Sequence, residues 1–182
     1  KSSRCGWYLQ QLIKLYFGII VQGALDKYLV IDSDTHFLKP VRFIEMNKSL
    51  YAYGKEYHKP YFEHMKLLDP SFIKVDKVNS GICHHMLFET KYINEIINIV
   101  ISKHKDTFFN IFIKQVDANE FSNSGASEYE LYYNYMLQYH PDKIKLRELK
   151  CTARRYQTAS RNPQTRKAKS RCWKNFMETI FI

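Results

Sequence analysis

At 182 residues the chain has the length of one domain, and 45% hydrophobic with 15% aromatic residues is a globular composition that excludes an intrinsically disordered protein. The formal charge of +10 is unevenly placed: residues 151–182 hold eight basic residues against Glu178 alone, a net of +7, which leaves +3 for residues 1–150. A body so nearly balanced gives no reason to read it as a phosphate-backbone binder.

The first 22 residues contain an amphipathic pattern. In "GWYLQQLIKLYFGIIVQ", Gly6–Gln22, the residues Trp7, Leu12, Leu15 and Tyr16 recur near helical spacing with Gln10, Gln11 and Lys14 between them, predicting a helix that turns apolar on all sides toward its end. "KYLVI", Lys27–Ile31, is short and apolar between Gly23 and two aspartates, as a buried strand is. "HFLKP" is expected to continue extended until Pro40, and "SLYAYG", Ser49–Gly54, is a second strand closed by a glycine turn. Residues 58–69 are mixed and aromatic, with no assigned element. "IKVDKVNSG", Ile73–Gly81, alternates enough to predict a strand ending in an Asn79-Ser80-Gly81 turn. Glu89–His104 carries Tyr92, Ile93, Ile96, Ile97 and Val100 on one helical face, and "TFFNIFIKQV" is a further helix. Ser127 with Glu130 three positions later is a capping-box pattern that starts a helix, Pro141 stops it, and "IKLREL" is a last strand. Strands alternating with helices predict an α/β domain over residues 1–150, with a mixed sheet flanked by helices. Residues 151–182 read as a basic tail, expected to be a solvated or disordered segment or a surface arm for anionic lipid or nucleic acid.

Cys5, Cys83, Cys151 and Cys172 make no CxxC pair and no zinc-like spacing, so inert thiols in a reducing, cytoplasmic compartment are the expectation. The apolar stretches are too short for a transmembrane segment, no signal peptide is visible, and the first residue is not Met.

The chemistry-bearing element is Asp32-Ser33-Asp34, directly behind the Lys27–Ile31 strand. On an extended segment residues i and i+2 point the same way, so both carboxylates reach one side. Open α/β sheets bind ligands beyond the carboxyl ends of their strands. Magnesium or manganese is commonly held by one or two carboxylates while phosphates and waters fill the other positions. Taken alone, Asp-x-Asp more often only closes a turn.

In its context, "YLVIDSDTHFLKP" resembles the DxD motif of nucleotide-sugar glycosyltransferases with the GT-A (Rossmann-like) fold. In particular the chain is similar to a GT-A-like group of viruses and bacteria marked by a Gly-Trp-x-x-Gln-Gln helix, matched here by "GWYLQQLIKL", and by later segments matched by "NSGICHHMLFE" and "SEYELYYNYM". The resemblance spans about Arg4 to Leu149. It implies a metal-dependent transfer of a sugar from a nucleotide-diphosphate donor to a hydroxyl of a glycan, lipid or protein, with Mn2+ or Mg2+ as cofactor. By it, Asp34 is the principal metal ligand, and Asp32 contacts the metal or the donor ribose and sugar. Glu128 is implied as the catalytic base or an acceptor contact, the better candidate because Glu130 can be consumed by the capping box. The helix dipole alone would account for either acid at that helix start.

The resemblance further implies that Gln10 and Gln11 orient the nucleotide or brace the DxD loop; the alternative is a solvated helix face. Asn79 and Ser80 are candidate sugar contacts, unless they only form a turn, and Gly81 permits close backbone approach. His84 and His85 diverge on either a strand or a helix, so at most one faces the cleft, as a hydrogen-bonding group before a metal ligand. GT-A enzymes carry a nucleotide-binding strand–helix segment ahead of the DxD. Only 31 residues precede Asp32 here, so part of that segment is expected to be missing. The alternatives are an inactive remnant of such an enzyme, or a nucleic-acid- or partner-binding module driven by the basic tail.

Overall fold

The computed structural model describes residues 4–150; the expected basic tail, with Cys151 and Cys172, lies outside the described residues. One compact unit closes at Leu149. Helices and two small sheets make it a mixed α/β protein.

The N-terminal helix is α1, Cys5–Ile20, which buries Tyr8, Gln11, Leu12 and Leu15, an i, i+3, i+4, i+7 stripe. Strand β1, Lys27–Ile31, buries Tyr28 and Val30 while Ile31 is exposed, so it is half-buried rather than covered on both faces. Its partner is β4, His85–Glu89, paired antiparallel with Ile31 opposite His85 and Lys27 opposite Glu89. The sequence reading assigned β4 no element, yet all five residues are buried. The second sheet joins β2, Ile44–Glu45, antiparallel to β3, Lys48–Tyr53, and β3 parallel to β5, Ile144–Glu148.

Two expectations are corrected, and one unassigned stretch proves to be a helix. "HFLKP" does not prolong β1, because a turn closes first: the Thr35 amide donates to the Asp32 carbonyl at 2.9 Å. Ile73–Gly81 is a loop with a single antiparallel bridge between Gly54 and Ser80. Its apolar positions are solvent-facing, with Val78 68% exposed, and side chains capture its amides: Asp76 accepts from Val78 and Asn79, and Asn134 from Val75. Such local side-chain bonds compete with a strand ladder. The unassigned 58–69 segment is helix α2, Lys59–Leu68, with Pro60 in its first turn, where the missing amide is harmless, and with Tyr61, Phe62, His64, Met65 and Leu68 buried.

Helices α3, Thr90–His104, and α4, Phe108–Lys114, supply Ile93, Ile96, Val100, Phe108 and Phe112 to the core. Helix α5, Glu128–Tyr139, is buried from Glu128 through Met136 and runs through the middle of the unit. Within it, Tyr132 Oη accepts from the Glu89 amide and Tyr135 Oη donates to Glu95, while the buried Tyr133 hydroxyl has no hydrogen-bond partner among the described residues. Among the described residues no helix is long and apolar enough to cross a membrane.

Candidate active site

Where β1 ends, the chain turns through Asp32, Ser33 and Asp34 against the residue that precedes β4. The Asp32 amide donates to the His84 carbonyl at 2.8 Å, and His84 adopts a left-handed φ of +59°, uncommon for a residue with a side chain. This joint opens a cleft of about 290 Å3, near the lower end of ligand-site sizes. α1 contributes Trp7, Gln10, Gln11 and Lys14; the β1 end contributes Asp32 and Asp34; the start of α5 contributes Glu128 and Tyr129.

Lys14 is the hub. Its ammonium donates to Asp32 Oδ1 and to Glu128 Oε1, both at 2.6 Å, and lies 3.3 Å from Tyr129 Oη and 4.3 Å from the centre of that ring. Burial opposes the charge of Lys14, but Glu128 and then Asp32 outweigh it and hold the ammonium above its ordinary range. Asp32 is also partly buried, which alone would raise its pKa; His84, Lys14 and Tyr129 together hold it below the usual carboxylate value. The Tyr129 hydroxyl donates to Asp32 Oδ1 at 3.1 Å, and His84 Nδ1 lies 3.2 Å from Oδ2. His84 is pushed up, chiefly by that hydrogen bond. Glu128 is 3% exposed, and burial pushes its carboxyl up in spite of Lys14.

Asp34 differs from Asp32. It is exposed on the cleft wall and makes no hydrogen bond or ion pair with another described residue. The two carboxylates therefore offer one open group and one oxygen, Asp32 Oδ2, shared only with His84. That donor set suits a hard dication bound by one or two carboxylates and completed by substrate phosphates. Among the described residues, no group of three or more His, Cys, Asp or Glu side chains converges as a ready-made metal centre.

The other sequence-derived candidates divide. Gln10 is exposed and lines the cleft. Gln11 lines it too, but its amide is committed to the backbone leading into α5: Nε2 donates to the Ala126 carbonyl at 3.0 Å, and Oε1 accepts from the Glu128 amide at 3.2 Å. His84 faces the cleft. His85 does not: its ring packs edge-on against Phe37 and Phe43, and burial pushes its pKa down. Asn79, Ser80 and Gly81 are off the cleft lining. Asn79 bonds to Asp76, and Ser80 is fully buried, donating to Glu130 Oε1 at 2.5 Å. Gly81 presses against α5, where an added Cβ would lie 2.6 Å from Tyr133 Cγ. The close approach that Gly81 permits is to a helix, not to a ligand. Ser127 caps α5 by accepting from the Glu130 amide at 3.2 Å, while the Glu130 carboxylate turns away to Ser80 and Asn134. Only the serine half of the expected capping box forms.

Sequence reasoning passed over Lys14, Tyr129 and Trp7 as site residues. A signal was present: Trp7, Gln10, Gln11 and Lys14 stand at i, i+3, i+4 and i+7, one face of α1.

Fold and cleft together define a mixed α/β protein with an acidic cleft at a strand end. Compared with family models, with curated proteins and with solved structures, the chain matches none. The chemistry of the cleft carries the functional reading by itself.

Proposed function

We propose that this chain is a metal-dependent, GT-A-like glycosyltransferase, moving a sugar from a nucleotide-diphosphate donor to an acceptor hydroxyl on a glycan, lipid or protein. The observation that carries the reading is the charge of the cleft. Three carboxylates, Asp32, Asp34 and Glu128, line it against one lysine, leaving a surplus of two negative charges, or of one when His84 is protonated. A diphosphate entering such a cleft is repelled unless a divalent cation accompanies it. The acid pair at a strand end and the antiparallel β4 beside β1 also support a GT-A-like arrangement.

Asp34 and Asp32 Oδ2 would hold Mn2+ or Mg2+. When bound, the cation supplies Lewis-acid neutralisation of charge on the departing diphosphate. The chain's own groups do the rest. His84 and Tyr129 fix the orientation of the Asp32 carboxylate. Glu128, its pKa raised by burial, is suited to take the proton of the acceptor hydroxyl. Gln11 holds the Glu128 backbone in place, and Gln10 is available to ligand.

The test is a thermal-melt titration of the purified chain. Mn2+ and a nucleoside diphosphate added together should raise the melting temperature more than the two separate shifts combined. No joint shift with uridine, guanosine, cytidine or adenosine diphosphate would remove the proposal.

A further inference from the structure

Lys14 stands where a metal-binding cleft should least want a cation. Its side chain is only 11% exposed, and its ammonium is fixed by Asp32, Glu128 and Tyr129, so it is not a solvated lysine resting on the rim. It neutralises Asp32 Oδ1 directly, on the carboxylate whose other oxygen, beside His84 Nδ1, is the proposed metal ligand. A dication held at Oδ2 and Asp34 would share that carboxylate with a like charge. Repulsion at such range is strong, because the groups are partly removed from water. A diphosphate changes the balance, since its negative charges attract both cations at once.

We infer that Lys14 is a positioning residue that makes metal binding conditional: Asp32 and Asp34 accept the dication tightly only when a diphosphate arrives with it. The inference rests on the proposed metal-dependent transfer and adds a regulation of that site. It amounts to a coupling free energy between metal and diphosphate sites, and such coupling is reciprocal. Glu128 is the second anchor of the device. By holding Lys14 from the opposite side, it keeps the ammonium in the cleft in the absence of ligand.

The experiment measures bound Mn2+ by electron paramagnetic resonance, with and without inorganic pyrophosphate, in the wild-type chain and in Lys14→Met. Pyrophosphate is the probe because it isolates the diphosphate from the unknown base. For the wild type, saturating pyrophosphate should tighten Mn2+ binding by about tenfold or more. In Lys14→Met, Mn2+ alone should bind about tenfold tighter than to the wild type, and the further gain from pyrophosphate should fall below about threefold. If Lys14→Met fails to fold, Lys14→Met/Glu128→Gln removes the buried charge left without its partner and should show the same gain. Mn2+ affinity unchanged or weakened in a folded variant would overturn the role of Lys14 while leaving a metal-binding cleft intact. Absence of Mn2+ binding in every variant, with or without pyrophosphate, would overturn the metal reading itself and this inference with it.

Discussion

Gln11 of α1 and Glu128 of α5 are joined through one side-chain amide: Gln11 Oε1 accepts from the Glu128 amide, and its Nε2 donates to the Ala126 carbonyl just before that helix. Gln11 is 2% exposed, so both bonds are shielded from solvent in the folded chain. Gln11→Ala leaves a buried donor and a buried acceptor unmade, and the expected loss of stability is about 2 kcal/mol. Gln11→Glu keeps the acceptor but loses the donor to Ala126, and buries a carboxylate as well, so it should be worse. Equilibrium urea unfolding of the three proteins checks the order. If Gln11→Ala unfolds at the wild-type midpoint, the brace is not what holds α5 against α1.

Asp34 offers the opposite case. Exposed, and without a hydrogen bond or ion pair to another described residue, it contributes little to the fold. Asp34→Asn is expected to change stability by less than about 0.5 kcal/mol. The same substitution should abolish the joint thermal shift given by Mn2+ and a nucleoside diphosphate. A variant that melts far below the wild type would mean that the turn, and not the ligand, needs the carboxylate.

The contrast between these two residues shows what could be read from the sequence alone. Helical periodicity is carried by the buried residues themselves, so α1, α3 and α5 were legible, as was the serine cap of α5. The Ile73–Gly81 stretch has the alternation of a strand, but Asp76 and Asn134 satisfy its amides, a partnership fixed by residues as far as 59 positions away. Strand β4 is a five-residue run that opens on His85 directly after His84, which masks its apolar character, and no local signal says that His85 will lie between two phenylalanines. At the site, Asp32 and Asp34 were legible from chemistry and position, Glu128 only through the family resemblance, and the histidine pair without a choice between His84 and His85. Lys14 was on the page as a helix-face residue, but its junction with Glu128, 114 residues on, exists only in the folded chain. Asn79, Ser80 and Gly81 have the chemistry of a sugar-binding loop, but the fold ties Asn79 to Asp76 and uses Ser80 and Gly81 to seat Glu130 and α5.

Gly81 gives a direct test of that structural role. A methyl group there would meet the Cβ and Cγ of Tyr133, atoms at the root of a buried side chain that cannot swing aside. Gly81→Ala should therefore cost about 2–3 kcal/mol through overpacking. Gly6 is the control: it lies in α1, and a Cβ added there meets nothing within 4 Å. Gly6→Ala should be neutral or stabilising by up to about 1 kcal/mol, since alanine favours the helix. Equal unfolding midpoints for the two variants would show that Gly81 is not packed as described.

His64 predicts the pH dependence of the fold. It is buried in α2 and donates from Nε2 to the Phe112 carbonyl at 2.8 Å; burial pushes its pKa from the ordinary 6.5 down to about 4, with the carbonyl acting weakly the other way. A group whose folded pKa is depressed binds fewer protons in the native state, so its contribution is complete above the unfolded value. That contribution is lost as pH falls from about 6.5 to about 4, and it amounts to about 3 kcal/mol. Glu128 and Glu130, whose pKa values burial raises, act with the opposite sign at the acid end: protonation favours their folded state as pH falls toward the carboxylate range. The difference between wild type and His64→Gln isolates the histidine, because glutamine can also donate to the carbonyl and does not titrate. Unfolding midpoints across this window should fall more steeply for the wild type, and parallel curves would show that His64 is protonated with equal ease in the folded and unfolded chains.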